Sequence, residues 1–253
     1  MDSVLKVNYV SREELEDEKQ SKSVPSLRNF DFIKVLGTGG FATVYMVRKR
    51  TTGMLYAMKM VKKDGVKQDR VKFAQVYTER QILEQLKNPF LVQLHYAFVT
   101  TNYYCLVIDL CTGGELFYYL QKNQSFQLAN AKLLFAEVVL AIEFLHEHDI
   151  LYRDLKPENI LVDERGHLRL TDFGLCRSGF RRGRDRAMSF VGSPEYMSPE
   201  ILLGSGYDYS VDYYTMGVLL FEMLVGLPPH YNEDKMQMYK DITMKKPVIP
   251  SVI

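Results

Sequence analysis

Hydrophobic and polar positions alternate on both sides of a glycine-rich stretch near the start of the chain. From Phe30 the sequence reads FDFIKVLGTGGFATVYMVRKR, so two alternating runs flank a turn that contains Gly37, Gly39 and Gly40. Alternation with a period of two before and after a short turn predicts a β-hairpin. The next apolar run reads LYAMKMVKK and predicts another strand, which carries Lys59.

Apolar residues return at helical spacing later in the chain. Ala74, Ile82, Leu83 and Leu86 predict a helix over residues 73–86 with a buried face. Two further strands are predicted from the runs NPFLVQLHYAF and YYCLVIDLCTGGELF, the second of which turns into a helix. Long helices are then predicted over 130–148 and from the run VDYYTMGVLLFEMLVGLPPHY.

The candidate chemistry is concentrated in two motifs, LYRDLKPEN at 151–159 and DFG at 172–174. Asp154 can orient a substrate hydroxyl and take its proton, and Lys156 supplies positive charge on the same face of an extended loop. Asn159 and Asp172 offer the hard oxygen ligands that Mg²⁺ prefers. Since phosphoryl transfer needs mainly positioning and charge neutralisation, this set predicts transfer of the terminal phosphoryl group of a nucleotide.

Together with the glycine-rich hairpin, these motifs resemble those of serine/threonine protein kinases of the AGC group. The resemblance runs from about residue 30 to the last residue, and the run PPHYNEDKMQMYKDI is similar to the protein kinase B and serum-and-glucocorticoid-induced kinase branch. A dinucleotide-binding fold also uses a glycine-rich turn, but there the chain continues into a helix, whereas residues 43–47 continue as a strand.

The resemblance implies an α+β fold, the bilobal protein-kinase fold. The N-lobe, at about 30–108, would hold a small antiparallel sheet and one main helix. The hinge would lie at 109–111, and the mostly helical C-lobe at 112–253. Residues 1–29 are charged and poor in aromatic residues, so they are predicted to form a flexible leader.

ATP and Mg²⁺ are the cofactors that the resemblance implies. Lys59, paired with Glu79, would position the phosphates, although the strand alone is equally compatible with a solvated lysine. Ala42 stands where the family has a third glycine. The expected nucleotide contacts are Leu36, Gly37, Thr38, Gly39, Gly40, Phe41, Ala42, Thr43, Val44, Ala57, Lys59, Asp109, Cys111, Glu115 and Leu161.

The resemblance also implies regulatory residues. Ser189 aligns with the phosphorylated threonine of the group, and a phosphate there would pair with Arg153 and Arg177. Ser193 would bridge the base to Lys156, and Asp212 would hold the backbone of the catalytic loop. An activating kinase acting on Ser189 is therefore an expected partner.

Substrate residues follow from the same resemblance. Glu115, Glu158 and Glu222 match acids that bind arginines upstream of the phosphoacceptor, so the expected partners are proteins with basic motifs. By itself Glu115 would read as a helix N-terminal acid. The pocket for the residue after the phosphoacceptor would be formed by Phe190, Pro194 and Met197.

Three departures from the family pattern leave alternatives open. Tyr213 and Tyr214 stand where tryptophans are usual, and Gln75 replaces a phosphate-binding histidine. The sequence also stops before the last C-lobe helices, which normally supply an arginine partner for Glu200. The chain is then either a fragment of a longer kinase or a short form. The alternative function is a catalytically weak nucleotide-binding scaffold.

Composition and charge limit the expected partners and the expected cellular location. The net charge of +1 in 253 residues gives no reason to expect a nucleic acid partner. Cys105, Cys111 and Cys176 are odd in number and lack metal-ligand spacing, as expected in a reducing compartment. No apolar run is long enough to span a bilayer, and the start lacks a signal-peptide pattern. The expected location is the cytoplasm, with the nucleus as a second compartment.

Overall fold

The structure is a computed structural model that describes residues 25–66 and 69–250. These described residues divide into two compact units, the first containing those up to 87 together with 92–111, and the second containing 88–91 and those from 112 onward. Residues 1–24 of the predicted leader lie outside the described residues. The last three leader residues, Leu27–Asn29, form a single 3₁₀ turn, which is closed by hydrogen bonds between Ser26 and Asn29.

The first unit is built on a five-stranded antiparallel sheet. Its strands are β1 (Phe30–Thr38), β2 (Ala42–Lys49), β3 (Leu55–Lys62), β4 (Leu94–Val99) and β5 (Tyr103–Ile108), and their spatial order is β1-β2-β3-β5-β4. Side chains from alternate positions of these strands form an aromatic-rich core on one face, as period-two patterning requires. The predicted hairpin and its neighbouring strands are therefore confirmed.

One helix, α1 (Arg70–Gln85), belongs to the first unit. Asp69 caps it by accepting hydrogen bonds from the backbone N–H groups of Val71 and Lys72, which no residue within the helix can satisfy. Its buried residues are Val76, Glu79, Ile82 and Leu83. The prediction that Ala74 is buried was wrong: Ala74 is exposed, because it precedes Val76 by two residues and so lies on the far side of the helix.

The second unit is mainly helical. After the short strand β6 (Gly114–Glu115) come α2 (Leu116–Asn123) and α3 (Leu128–Glu147), followed by the hairpin β7 (Ile160–Val162) and β8 (Leu168–Leu170). The helices α4 (Pro199–Leu202), α5 (Ser210–Val225) and α6 (Lys235–Met244) complete it. The five-stranded antiparallel sheet of the first unit and the helices of the second unit confirm the predicted α+β class. Within 25–66 and 69–250, no helix combines the length and apolar character needed to cross a bilayer.

Two buried acids fix the loops of this unit to its helices. On α3, the Glu137 carboxylate accepts hydrogen bonds from the Leu168 N–H at 2.7 Å and from His167 Nδ1 at 2.7 Å, which ties the β7–β8 hairpin to the helix. On α5, Asp212 is completely buried and accepts hydrogen bonds from the backbone N–H groups of Tyr152 and Arg153. The backbone of the loop at 151–159 is therefore fixed by the side chain of Asp212, as expected from the sequence.

Candidate functional site

Asp154 and Lys156 lie together with two further polar side chains. Lys156 Nζ is 3.3 Å from Asp154 Oδ2 and donates to Ser193 Oγ at 2.8 Å. Ser193 Oγ in turn donates to Asp154 Oδ1 at 3.1 Å, so one hydroxyl bridges the acid and the cation. Asn159 Nδ2 donates to Asp154 Oδ2 at 2.8 Å. Each oxygen of the Asp154 carboxylate thus has a fixed hydrogen-bond donor.

The backbone of this loop adopts uncommon torsion angles. Arg153 has φ +71° and Asp172 has φ +55°, values that non-glycine residues seldom adopt. Such conformations persist only where the surroundings hold them, and they concentrate at functional sites. Here Asp212 holds the Arg153 N–H at 2.8 Å and the Tyr152 N–H at 2.9 Å, and His146 Nε2 is 2.8 Å from the same carboxylate. The conformation of Arg153 is therefore enforced by a buried hydrogen-bond network.

The electrostatic environment of Asp154 combines two opposing influences. Burial raises the pKa of the Asp154 carboxyl, because removal from water disfavours the charged form. The charge of Lys156 and the hydrogen bonds from Asn159 and Ser193 act in the opposite direction. The result is a buried carboxylate whose orientation is determined by three neighbours and which can accept a proton from a bound hydroxyl group.

Asn159 and Asp172, the predicted metal pair, lie in neighbouring segments of the chain. The Thr171 N–H donates to the Asn159 carbonyl at 3.0 Å, which brings the two chain segments side by side just before Asp172. Since the Asn159 amide nitrogen is used by Asp154, its amide oxygen is the atom suited to a metal. Mg²⁺ commonly takes one or two protein oxygens together with substrate phosphates, and the pair fits that pattern. In the described residues no group of three His, Cys, Asp or Glu side chains is arranged to hold a metal.

In the first unit, Lys59 on β3 forms an ion pair with Glu79 on α1. Lys59 Nζ lies 2.6 Å from Glu79 Oε1 and 2.8 Å from Oε2, and both side chains are largely buried. In the sheet register Lys59 is opposite Val44 on β2 and Leu106 on β5, and Ala57 is opposite Ile108. The structure therefore resolves the choice between a solvated and a paired lysine in favour of the pair.

The glycine-rich turn joins β1 to β2, with the Gly39 N–H donating to the Ala42 carbonyl at 2.8 Å. A Cβ atom added at Gly37 or Gly40 would meet nothing within 4 Å, and at Gly39 it would meet only the Ala42 carbonyl at 3.7 Å. None of the three has a positive φ. Neither backbone conformation nor crowding within the chain requires glycine here. The open space instead suits close approach of a bound group such as a phosphate, so the turn fits a nucleotide.

The remaining predicted nucleotide contacts fall into both units. Asp109 accepts a hydrogen bond from the Gln93 N–H at 3.0 Å through its side chain, and its own N–H donates to the Gln93 carbonyl. Cys111 is partly buried at the end of the first unit. In the second unit Glu115 is opposite Leu161 in the β6–β7 pair.

The two arginines predicted to bind a phosphate on Ser189 have different surroundings. Arg153 Nη1 donates to Ser189 Oγ at 2.8 Å. Arg177 instead lies with its guanidinium 5.4 Å from the ring centre of Phe180. Sequence reasoning missed Tyr207, whose hydroxyl is 2.9 Å from Ser189 Oγ and donates to the Ser189 carbonyl at 3.0 Å. Nothing in the local sequence marks Tyr207, because it lies 18 residues away.

The predicted substrate acids lie close enough to influence one another. The pKa of the Glu115 carboxyl is raised by burial and then by the charge of Glu158. Burial raises the pKa of Glu222 to about 7, with smaller contributions from the charges of Glu158 and Glu195. Sequence reasoning did not include Glu195 among these acids, although its position directly after the predicted substrate residue Pro194 could have indicated it. The acids therefore form one electrostatically coupled cluster.

Four further residues for which the sequence led to an expectation have different environments. Phe190 is exposed, whereas Met197 is buried in a cluster with Leu151 and Ile201. Pro194 begins the 3₁₀ turn Pro194–Tyr196. Glu200, expected to lack a partner, accepts a hydrogen bond from Ser210 Oγ at 2.8 Å.

Comparison with known proteins places these features in a wider context. Residues 30–252 match the family described as "Protein kinase domain". The RAC family serine/threonine-protein kinase homolog of Dictyostelium discoideum is 44% identical over 236 residues, which is 93% of this chain and 52% of that protein. Serine/threonine-protein kinase YPK1 of Saccharomyces cerevisiae is 44% identical over 235 residues, or 92% of this chain and 34% of its own length.

A third relative gives the same picture. Serine/threonine-protein kinase gad8 of Schizosaccharomyces pombe is 45% identical over 225 residues, or 88% of this chain and 39% of that protein. The chain thus spans between about a third and a half of the length of these relatives.

Proposed function

The chain belongs to the protein kinase family, and from that premise we propose that it transfers the γ-phosphoryl group of ATP to serine and threonine hydroxyls of proteins. The observation that carries the proposal is the arrangement of Asp154, Lys156, Asn159 and Ser193. It combines a proton acceptor, a cation, an oxygen ligand and a bridging hydroxyl within hydrogen-bond distance.

Each side chain has a defined role in this proposal. Asp154 orients the substrate hydroxyl and accepts its proton as the oxygen attacks phosphorus. Lys156 offsets the negative charge that develops on the transferred group, and Ser193 keeps it beside Asp154. Mg²⁺ held by Asn159 and Asp172 would supply further charge neutralisation. In the first unit, Lys59 kept in place by Glu79 would hold the phosphates of ATP.

The substrates are proposed to be proteins with basic residues upstream of the target hydroxyl. Support comes from the coupled acids Glu115, Glu158 and Glu222, which can bind a guanidinium through paired hydrogen bonds. An activating kinase is proposed to phosphorylate Ser189, because a phosphate at that position would meet Arg153 directly. The odd cysteine count supports a reducing compartment, the cytoplasm or the nucleus.

Replacement of Asp154 tests the proposal. The Asp154→Ala variant should lose transfer of labelled phosphate from ATP to a basic serine peptide by at least about a hundredfold. Nucleotide binding, followed by the thermal shift with Mg²⁺ and ATP, should persist. Full transfer by the variant would overturn the assignment. Absence of transfer by the unmodified protein would support the nucleotide-binding scaffold, which no structural observation now favours.

A further inference from the structure

A large cavity beside α5 is lined by acids without any basic side chain. Its volume is about 870 Å³, and Glu158, Glu195 and Glu222 line it together with Tyr196 and Tyr231. Its walls are completed by apolar and amide side chains of α2 and of the segment after α5. No lysine, arginine or histidine of the described chain is among the lining residues. The negative charge of the lining acids is therefore not balanced by a basic lining residue, and the cavity is suited to a cation from outside the chain.

Glu222 is the most deeply placed of these acids. Only 5% of the residue is exposed, and its carboxylate accepts a hydrogen bond from the Tyr196 hydroxyl. Burying a carboxylate without a cation is costly, so such a group tends to take up a proton instead. Burial accordingly raises the pKa of Glu222 to about 7, the Tyr196 hydrogen bond opposes this, and the charges of Glu158 and Glu195 add to it.

We propose that Glu222 makes recognition of basic substrates depend on protonation. The guanidinium of a substrate arginine enters the cavity, the Glu222 carboxyl group releases its proton to the solvent, and the resulting carboxylate binds the arginine. This inference rests on the proposed kinase function and adds to it a pH-controlled contribution of one substrate residue.

The direction of the effect follows from proton linkage. Above pH 7 or so the carboxyl is already ionised, and the arginine binds without displacing a proton. Below that value each unit of pH weakens the contribution of the arginine by up to about tenfold, because the proton must first leave. Arginine binding and proton release are coupled in both directions. Deprotonation of Glu222 strengthens arginine binding, and a bound cation lowers the pKa of Glu222.

The groups facing Glu222 allow the transition to be moved in both directions. Tyr196 stabilises the carboxylate, so Tyr196→Phe should move the transition to higher pH. Glu195 and Glu158 repel it, so Glu195→Gln should move the transition to lower pH. A residue that merely supports the fold would not produce shifts of opposite sign.

The test compares two serine peptides that differ only in having arginine or the uncharged isostere citrulline upstream of the serine. Their affinities for the protein are measured by fluorescence anisotropy between about pH 5.5 and pH 8.5, a range that brackets the Glu222 transition. Peptides with the arginine at successive upstream positions identify the position that reaches Glu222. Calorimetry in buffers of different ionisation enthalpy counts the protons released.

We expect the advantage of arginine over citrulline to grow by up to about tenfold per pH unit and to level off above about pH 7. Proton release should accompany binding of the arginine peptide below the transition. In Glu222→Gln the advantage should be smaller and independent of pH, and the Tyr196→Phe and Glu195→Gln transitions should move apart.

The outcomes distinguish the inference from the proposed function. A constant arginine advantage between about pH 6 and pH 8, without proton release, would overturn the protonation mechanism while leaving basic-substrate recognition intact. Equal affinity for arginine and citrulline peptides at every pH and position would overturn basic-substrate recognition itself. The same pH dependence in Glu222→Gln as in the unmodified protein would assign the titration to another group and sink the proposal.

Discussion

Glu79 in the first unit and Glu222 in the second are almost equally buried, with 4% and 5% exposed, yet their surroundings differ. Glu79 has the ammonium group of Lys59 within 2.6 Å. Glu222 has a phenol hydroxyl and two repelling carboxylates. A third buried acid, Asp212, is balanced by backbone N–H groups and His146.

These contrasts teach that burial alone does not define the role of an acid. A carboxylate with a cation of its own chain is part of a permanent structure, and so is one held by backbone donors. A buried carboxyl group whose cavity lacks a cation either stays protonated or binds a cation supplied by a ligand. The distinction is testable. Removing the cation Lys59 should destabilise the first unit, whereas removing the charge of Glu222 should stabilise the second.

The largest effect is expected from breaking the Lys59–Glu79 pair. Lys59→Met leaves a buried carboxylate without that ammonium group, so the free energy of unfolding should fall by about 3–5 kcal/mol. Urea denaturation at neutral pH measures it. The control is the double variant Lys59→Met/Glu79→Met, which should regain most of the stability while phosphoryl transfer stays lost. A double variant no more stable than the single one would contradict this reading.

In the second unit the opposite sign is expected for Glu222→Gln. Burial raises the pKa of the carboxyl in the folded chain to about 7 from its ordinary value of 4.5, so ionisation disfavours the folded state. The protonated Glu222 carboxyl contributes stability that is fully present below about pH 4.5 and is lost as the pH rises through about 7. Glutamine avoids that loss, so the variant should exceed the wild type by up to about 3 kcal/mol at pH 8.

Thermal or urea unfolding of both proteins across the pH range provides the measurement. The stability difference should appear between about pH 4.5 and pH 7 and stay constant above that range. A variant that is less stable than the wild type at pH 8 would show that the ionised carboxylate is compensated in the folded chain, and the comparison with Glu79 would fail.

An intermediate effect is expected from Asp212→Asn. The amide keeps the shape of the side chain but replaces one acceptor oxygen with a donor, which then faces Tyr152 N–H, Arg153 N–H or His146. Hydrogen bonds to a charged acceptor contribute about 1.5–3 kcal/mol, so a loss of about 2 kcal/mol is expected. Because Arg153 precedes Asp154, kcat should fall while the KM for ATP changes little. A kcat equal to that of the wild type would exclude this positioning role.

The smallest effect is expected at Glu200. Ser210→Ala removes the hydrogen bond to a carboxylate that is partly exposed to water, so stability should change by less than about 1 kcal/mol. Chemical denaturation is precise enough to set this limit. A loss comparable to that of Asp212→Asn would mean that Glu200 depends on Ser210 for far more than one solvent-accessible hydrogen bond.

Local patterns predicted much of the fold. Alternation around the glycine-rich turn predicted β1 and β2, which pair as an antiparallel hairpin. Helical spacing predicted α1 but misassigned Ala74, because apolar character does not reveal which face of a helix meets the sheet. The approach of Tyr207 to Ser189 was not predictable, since it depends on how α4 and the loop before α5 fold back against the segment around Ser189.

The sequence by itself determined the types of secondary structure, the family resemblance and the candidate side chains for the chemistry, since these follow from local periodicity and short motifs. Tertiary structure decided which charges are compensated. It brought Lys59 to Glu79 across twenty residues and left Glu222 beside other acids. The reason is physical: the free energy of a buried charge depends on neighbours within a few ångströms, and those neighbours come from distant parts of the chain.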